Sequence, residues 1–188
     1  MRLEIPAITK WFSCAFFLDL RRYLPLVSHH NQTTMSTLKI GQKAPAFKTT
    51  DHKGNPISLK DLKGKRVILY FYPKDNTPGC TKEACSLRDD FEYWNANDTV
   101  ILGVSKDSAK SHQNFIKKHE LPFALLMDED LAIHEAYGVW GEKTLYGKKY
   151  MGTLRTTFII DTAGKIQSII DKVDTAEHSQ QIIDLIEN

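Results

Sequence analysis

Two short apolar runs, Val67–Tyr72 and Thr99–Ser105, limit the architecture of this chain more than any other feature. A half-buried strand alternates apolar and polar residues. These runs do not alternate, and they are rich in β-branched and aromatic side chains, the pattern of strands covered on both faces. Between them, Pro78 to about Trp94 has helical periodicity, with Thr77 as N-cap and Pro78 at the first helical position. Strand, helix, strand is the repeating unit of α/β folds.

The rest of the chain extends that reading. Phe47 to Ser58 contains the turn cluster Asp51-His52-Lys53-Gly54-Asn55-Pro56 between short extended pieces, so an N-terminal hairpin is expected. Ser108 to His119 reads as a second helix, closed by Leu121-Pro122. Phe123–Met127 is extended and Leu131–Tyr137 is a short helix. Thr156–Asp161 is a strand that Thr162-Ala163-Gly164 turns into an antiparallel partner, Lys165–Ile170, and Thr175 begins a closing helix. This order predicts an α/β, thioredoxin-like fold with a mixed central sheet, an N-terminal hairpin extension and an insertion between its halves.

At 188 residues the chain has the length of one domain with a sizeable core. Its formal net charge of +2 comes from Arg2, Lys10, Arg21 and Arg22 against Glu4 and Asp19. Residues 35–188 are therefore neutral, which leaves no electrostatic footprint for nucleic acid or an anionic membrane. The apolar run Trp11–Leu18 ends at Asp19, far short of the roughly 20 residues a membrane span needs. No clear small-residue cleavage site follows it. The expectation is that 1–34 is an N-terminal extension outside the fold, with Met35 the biological start of a 35–188 domain and a tail or organelle presequence as the alternatives. Three cysteines, Cys14, Cys80 and Cys85, are too few for a secreted disulfide scaffold and suit a reducing, cytoplasmic setting. Cys14 has no motif around it and is expected to be incidental.

The chemistry is concentrated in Tyr72-Pro73-Lys74-Asp75-Asn76-Thr77-Pro78-Gly79-Cys80-Thr81, with Cys85 following. A strand and a loop deliver Cys80 to the first turn of a helix. There, unpaired backbone N–H groups and the positive end of the helix dipole favour a thiolate. Ala84, Leu87, Phe91 and Trp94 fall within about 40° of Cys80 on a helical wheel, so Cys80 faces inward. The Thr77 hydroxyl is close enough in sequence to hydrogen-bond the sulfur or something bound to it, and Pro73 and Pro78 stiffen the loop. Cys85 lies about 140° around the helix, its Cα about 8.6 Å from that of Cys80. A disulfide needs Cα atoms within about 7 Å, so pairing requires the first turns of the helix to unwind. The spacing alone does not require pairing, and Cys85 as a spectator stays open. A dithiol reductase would want C-x-x-C here. Zinc is disfavoured because C-x4-C is not a common ligand spacing. The seven histidines, His29, His30, His52, His112, His119, His134 and His178, show no paired motif, and most are expected at the surface.

Pro73-x-x-x-Thr77-x-x-Cys80 resembles the active-site signature of the peroxiredoxins. Cys85 five positions on is similar to their atypical two-cysteine branch, known as bacterioferritin comigratory protein or peroxiredoxin Q. Gly41–Phe47, Tyr137–Lys143 and Tyr146–Asp161 extend the resemblance in order and spacing, from about Leu38 to Ile186. The resemblance implies a peroxidase reducing hydrogen peroxide and organic hydroperoxides. Cys80 would be the peroxidatic cysteine and pass through a sulfenic acid. Thr77 would bond the peroxide, Arg155 would stabilise the thiolate and polarise the O–O bond, and Pro73 would shield the sulfenic acid. Cys85 would resolve it as an intramolecular disulfide, and thioredoxin or a similar dithiol would reduce that disulfide. No cofactor, metal, nucleic acid or membrane partner is implied, and a monomer is expected. Arg155 precedes the apolar strand Thr157–Ile160, where a buried charge needs a partner that a thiolate can supply. Trp140 and Tyr146 could line a peroxide entrance or simply pack. The competing function is a redox-switched sensor or holdase that exposes Leu87 and Phe91 when oxidised.

Overall fold

The apolar runs form inner strands of a five-stranded sheet. The computed structural model describes residues 37–145 and 147–187, and the expected N-terminal extension 1–34, with Cys14, lies outside them. The strands are β1 (Lys48–Thr50), β2 (Pro56–Ser58), β3 (Arg66–Phe71), β4 (Thr99–Ser105), β5 (Ala124–Met127), β6 (Trp140–Leu145), β7 (Lys148–Thr153), β8 (Thr156–Ile160) and β9 (Ile166–Ile170). The helices are α1 (Pro78–Asp89), α2 (Phe91–Ala96), α3 (Ala109–His119), α4 (Ala132–Ala136) and α5 (His178–Glu187). The main sheet runs β5-β4-β3-β8-β9; β3, β4 and β5 are parallel, while β8 and β9 join antiparallel. It is the mixed α/β sheet that the element order predicts, and none of the described helices is long and apolar enough to cross a membrane.

Strand pleat explains why the β3 run is continuous. Ile68, Tyr70 and Tyr72 point to one face, into a core with Cys80, Ala84, Leu87, Trp94, Phe115 and Ile182 from the helices. Val67, Leu69 and Phe71 point to the other, against Phe47, Ile133, Tyr137 and Phe158. A residue on either face is shielded from water, so no polar alternation is tolerated. Truncating one of these buried side chains to alanine costs about 2–5 kcal/mol. Gly103 on β4 is required by packing: a Cβ there would lie 2.7 Å from the Tyr70 ring and 2.6 Å from Leu125.

Three elements differ from the sequence reading. The helix read as continuous to Trp94 ends at Asp89 and restarts at Phe91, with Asp90 (φ −102°, ψ 19°) between them. Consecutive aspartates are poor helix interior residues because their carboxylates compete for backbone donors. The apolar stripe nonetheless survives the break, since Leu87 and Trp94 share one core. The insertion is a hairpin: β6 and β7 pair antiparallel from Trp140↔Thr153 to Leu145↔Lys148, and its strands went unread in the sequence. It leads directly into Arg155 and β8. The closing helix also begins later than Thr175, at His178, after a turn in which Asp174 accepts from the N–H of Ala176 at 2.9 Å.

Candidate active site

β3 ends at Phe71, and the loop Tyr72–Thr77 carries the chain to the N-terminus of α1. Thr77 has extended backbone (φ −85°, ψ 150°), Pro78 opens the helix, and the first helical bond runs from the Thr81 N–H to the Thr77 carbonyl at 2.9 Å. Cys80 therefore sits in the first turn, on the inward stripe, and is 1% exposed. Asn76 takes a left-handed conformation (φ 57°), which an asparagine tolerates better than most residues. The Thr77 hydroxyl donates to the Lys74 carbonyl at 2.9 Å, tying the loop to itself rather than giving its proton to the sulfur. Its lone pairs remain available.

Arg155, between β7 and β8, reaches across to this turn. Its Nη2 donates to Cys80 Sγ at 3.2 Å, and its Nη1 donates to Glu83 Oε2. The guanidinium lies over the first turn of α1, so that a Cβ at Gly79 would be 3.5 Å from Nη2. Burial alone would depress the Arg155 pKa, but the Glu83 and Cys80 charges raise it. Glu83 is completely buried. Burial pushes its carboxyl up to about 7, against the opposing pull of Arg155. Its Oε1 has no hydrogen-bond partner among the described residues, and His178 Nε2 stands 3.9 Å away. His178 is itself hydrogen-bonded to Thr157 at 2.9 Å, and burial drives its pKa down to about 4.

Known proteins resemble this chain along most of its length. The AhpC/TSA family model matches residues 40–169. A putative peroxiredoxin Bcp of Coxiella burnetii is 50% identical over 147 residues, covering 78% of this chain and 97% of that protein. Peroxiredoxin Bcp of Bacillus subtilis is 45% identical over 152 residues, covering 81% and 97%. Among solved structures, Xylella fastidiosa peroxiredoxin Q superposes with a TM-score of 0.76 at 29% identity, covering 81% of this chain and 97% of that one. Xanthomonas campestris bacterioferritin comigratory protein gives 0.72 at 32% identity, covering 81% and 97%. The chain belongs to the peroxiredoxin family. It is a peroxidase of thioredoxin-like fold, an oxidoreductase that draws on thiol chemistry.

In this peroxiredoxin the remaining sequence candidates fall around Cys80 in different ways. Cys85 is half-buried on the same helix, and both cysteines are free. Because α1 is unbroken from Pro78 to Asp89, the Cα separation is that of an ideal helix, about 8.6 Å. Pro73 borders a cavity of about 230 Å³ whose walls include Lys106, Trp140, Tyr150 and Met151. Trp140 thus faces that cavity, with Lys106 Nζ 5.8 Å from its ring centroid; Tyr146 lies outside the described residues. Lys143 of β6 also lines the cavity and donates to the Thr153 carbonyl at 3.0 Å. Burial, and secondarily Arg155, lower its pKa.

The histidine reading needs correction. Of those described, His52, His112, His134 and His178 are buried and His119 is partly so. Three of them join buried carboxylate or hydroxyl partners that are remote in sequence or across a turn. A histidine with a polar partner is compatible with a core, and local spacing does not reveal the partner. Glu83 was also missed. Its signal was present: it lies three residues after Cys80, close to the buried stripe, where a carboxylate demands a cation.

Proposed function

We propose that this peroxiredoxin reduces hydrogen peroxide and organic hydroperoxides through the Cys80 sulfur. The observation that supports it most directly is the Arg155 Nη2 contact with Cys80 Sγ at 3.2 Å inside a buried first helical turn. The thiolate attacks the terminal peroxide oxygen, an S–O bond forms and the O–O bond breaks. The departing alkoxide or hydroxide takes up a proton, and the sulfur, oxidised by two electrons, becomes a sulfenic acid. Arg155 supplies fixed N–H donors for the charge that develops on the departing oxygen. Thr77, whose own proton is given to Lys74, accepts the peroxide O–H. Pro73 covers the sulfenic acid, and the adjoining cavity, walled by Trp140, Tyr150 and Met151, has room for an alkyl group.

Cys85 then resolves the sulfenic acid. Its thiol attacks the oxidised sulfur, water leaves, and an intramolecular Cys80–Cys85 disulfide remains. Unwinding of α1 has to precede this step, because a disulfide requires Cα atoms closer than an intact helix allows. Thioredoxin or a similar dithiol returns the two electrons, and the enzyme acts as a cytoplasmic monomer. Stopped-flow oxidation followed by intact-mass analysis tests the scheme. Cys80→Ser should lose turnover altogether, and Cys85→Ser should be oxidised once yet form no intramolecular disulfide. Full turnover by Cys80→Ser would sink the proposal.

A further inference from the structure

Beneath the active-site loop lies a buried polar group that the scheme above does not use. Asp75, between Pro73 and Thr77, is 5% exposed, and its carboxylate points inward. Tyr72 donates its hydroxyl proton to Oδ1 at 2.7 Å, and His112 Nδ1, from α3, meets Oδ2 at 2.9 Å. Burial by itself would raise this carboxyl, but the hydrogen bonds from His112 and Tyr72 hold it below its ordinary value. Asp75 is thus an acceptor, and Nδ1 of His112 carries the proton. The Asp75 backbone N–H donates to Asp107 Oδ2 at 2.7 Å. Three ties therefore converge on one residue of the loop, from Tyr72 at its start, from Asp107 in the turn before α3 and from His112 on α3.

His112 is fully buried, yet its Nε2 has no hydrogen-bond partner among the described residues. Leaving a buried nitrogen unpaired is destabilising, and a leucine or phenylalanine would fill the same space without that loss. What histidine adds at this position is one N–H aimed at Asp75. We propose that Asp75 and His112 are positioning residues for the peroxidase reaction: the buried pair holds Pro73 and Thr77 in register over Cys80. The pair touches neither sulfur nor substrate. It acts on where the Thr77 hydroxyl and the Pro73 ring stand when peroxide arrives and when sulfenic acid has formed. This rests on Cys80 being the attacking sulfur.

Two readouts follow, and a purely structural role would not move them together. One is the second-order rate of Cys80 oxidation by hydrogen peroxide in the reduced full chain, followed by tryptophan fluorescence. The other is the partition of the product between disulfide and sulfinic acid, read by mass, where a second peroxide oxidises sulfenic acid that Pro73 no longer covers. His112→Leu should slow oxidation by about 10-fold to 100-fold, the scale of a mispositioned reacting group, and raise the sulfinic fraction. His112→Asn, whose side-chain amide can place an N–H near Nδ1, should restore most of both. Tyr72→Phe, which removes one hydroxyl from the same carboxylate, reads the tie again if His112→Leu does not fold. Wild-type rate and partition in His112→Leu or, failing that, in Tyr72→Phe would overturn the proposal, as would His112→Asn behaving no better than His112→Leu. Full turnover in Cys80→Ser would overturn the underlying reading instead, so the two failures are distinguishable.

Discussion

Two buried aspartate–histidine pairs in this molecule look alike and are built differently. In the first, Asp128 Oδ1 accepts the Ile133 N–H at 3.0 Å, and Oδ2 accepts the His134 N–H at 2.7 Å and its ring Nδ1 at 2.6 Å. The far ring nitrogen, Nε2, is bonded to Thr153 Oγ1 at 3.0 Å. Burial would raise the Asp128 carboxyl, but these donors hold it below its ordinary value. Every polar atom is used, and the pair clamps the turn after β5, the start of α4 and the end of β7. The second pair, Asp75–His112, leaves Nε2 open and ties down a loop rather than two elements. A saturated buried network belongs to the fold's stability. An unsaturated one, placed where the chain turns around Cys80, is better explained by the geometry it imposes there.

The comparison can be broken most severely at Asp128. Asp128→Ala strips a buried histidine and two backbone donors of their acceptor and should cost about 3–5 kcal/mol in stability. Urea unfolding measures the loss, while peroxide consumption per folded molecule should stay near wild type. A large fall in that specific rate would mean that the saturated pair also serves the site.

Next in size is a slope rather than a step, at another buried carboxylate. Glu83 has its carboxyl raised to about 7 in the fold against an ordinary 4.5. Between these values the folded state holds the extra proton, so stability is fully present below about 4.5 and is lost as pH rises through about 7. His178, lowered to about 4, works in the opposite sense, losing stability as pH falls from 6.5 toward that value. The difference between wild type and Glu83→Gln isolates the first effect. Wild type should lose ground to the variant as pH rises across that window. Parallel melting curves from pH 5 to 8 would show that Glu83 does not titrate there.

Thr153→Val is the most direct test of likeness, because it removes the partner of His134 Nε2 and turns the saturated pair into a copy of the unsaturated one. One buried unpaired nitrogen should cost about 1–3 kcal/mol. If it costs nothing measurable, an open Nε2 is unremarkable in this core, and the open Nε2 of His112 loses its significance. Smallest in stability is Tyr72→Phe, about 1 kcal/mol for one hydrogen bond. Its expected signature is instead a slower Cys80 oxidation.

Several of these groups were visible in the chain and others were not. Val67–Tyr72 announced a strand covered on both faces because pleat alternation is local: a polar residue on either face would have broken the run. Cys80 at the first turn of a helix was legible for the same reason, since Thr77, Pro78 and the 3.6-residue repeat all act within a few residues. The β6–β7 hairpin was not, as Glu142, Lys143, Lys148 and Lys149 interrupt its pattern where its exposed strands pair, among the described residues, only with each other. The burial of His112, His134 and His178 was equally hidden, because a buried imidazole is decided by its partner and not by its neighbours in the chain.

The sequence by itself determined the α/β order, the cysteine at a helix N-terminus, and the need for α1 to unwind if Cys80 and Cys85 are to pair, because each follows from propensity and helical geometry over short distances. Only the tertiary structure decided that Arg155, 75 residues downstream, donates to both Cys80 and Glu83. It alone decided, too, that Asp75 faces His112 rather than water. Buried charges and imidazoles are stable only against specific partners, and which partner arrives is set by how β3, β8 and α3 pack, which periodicity along the chain does not encode.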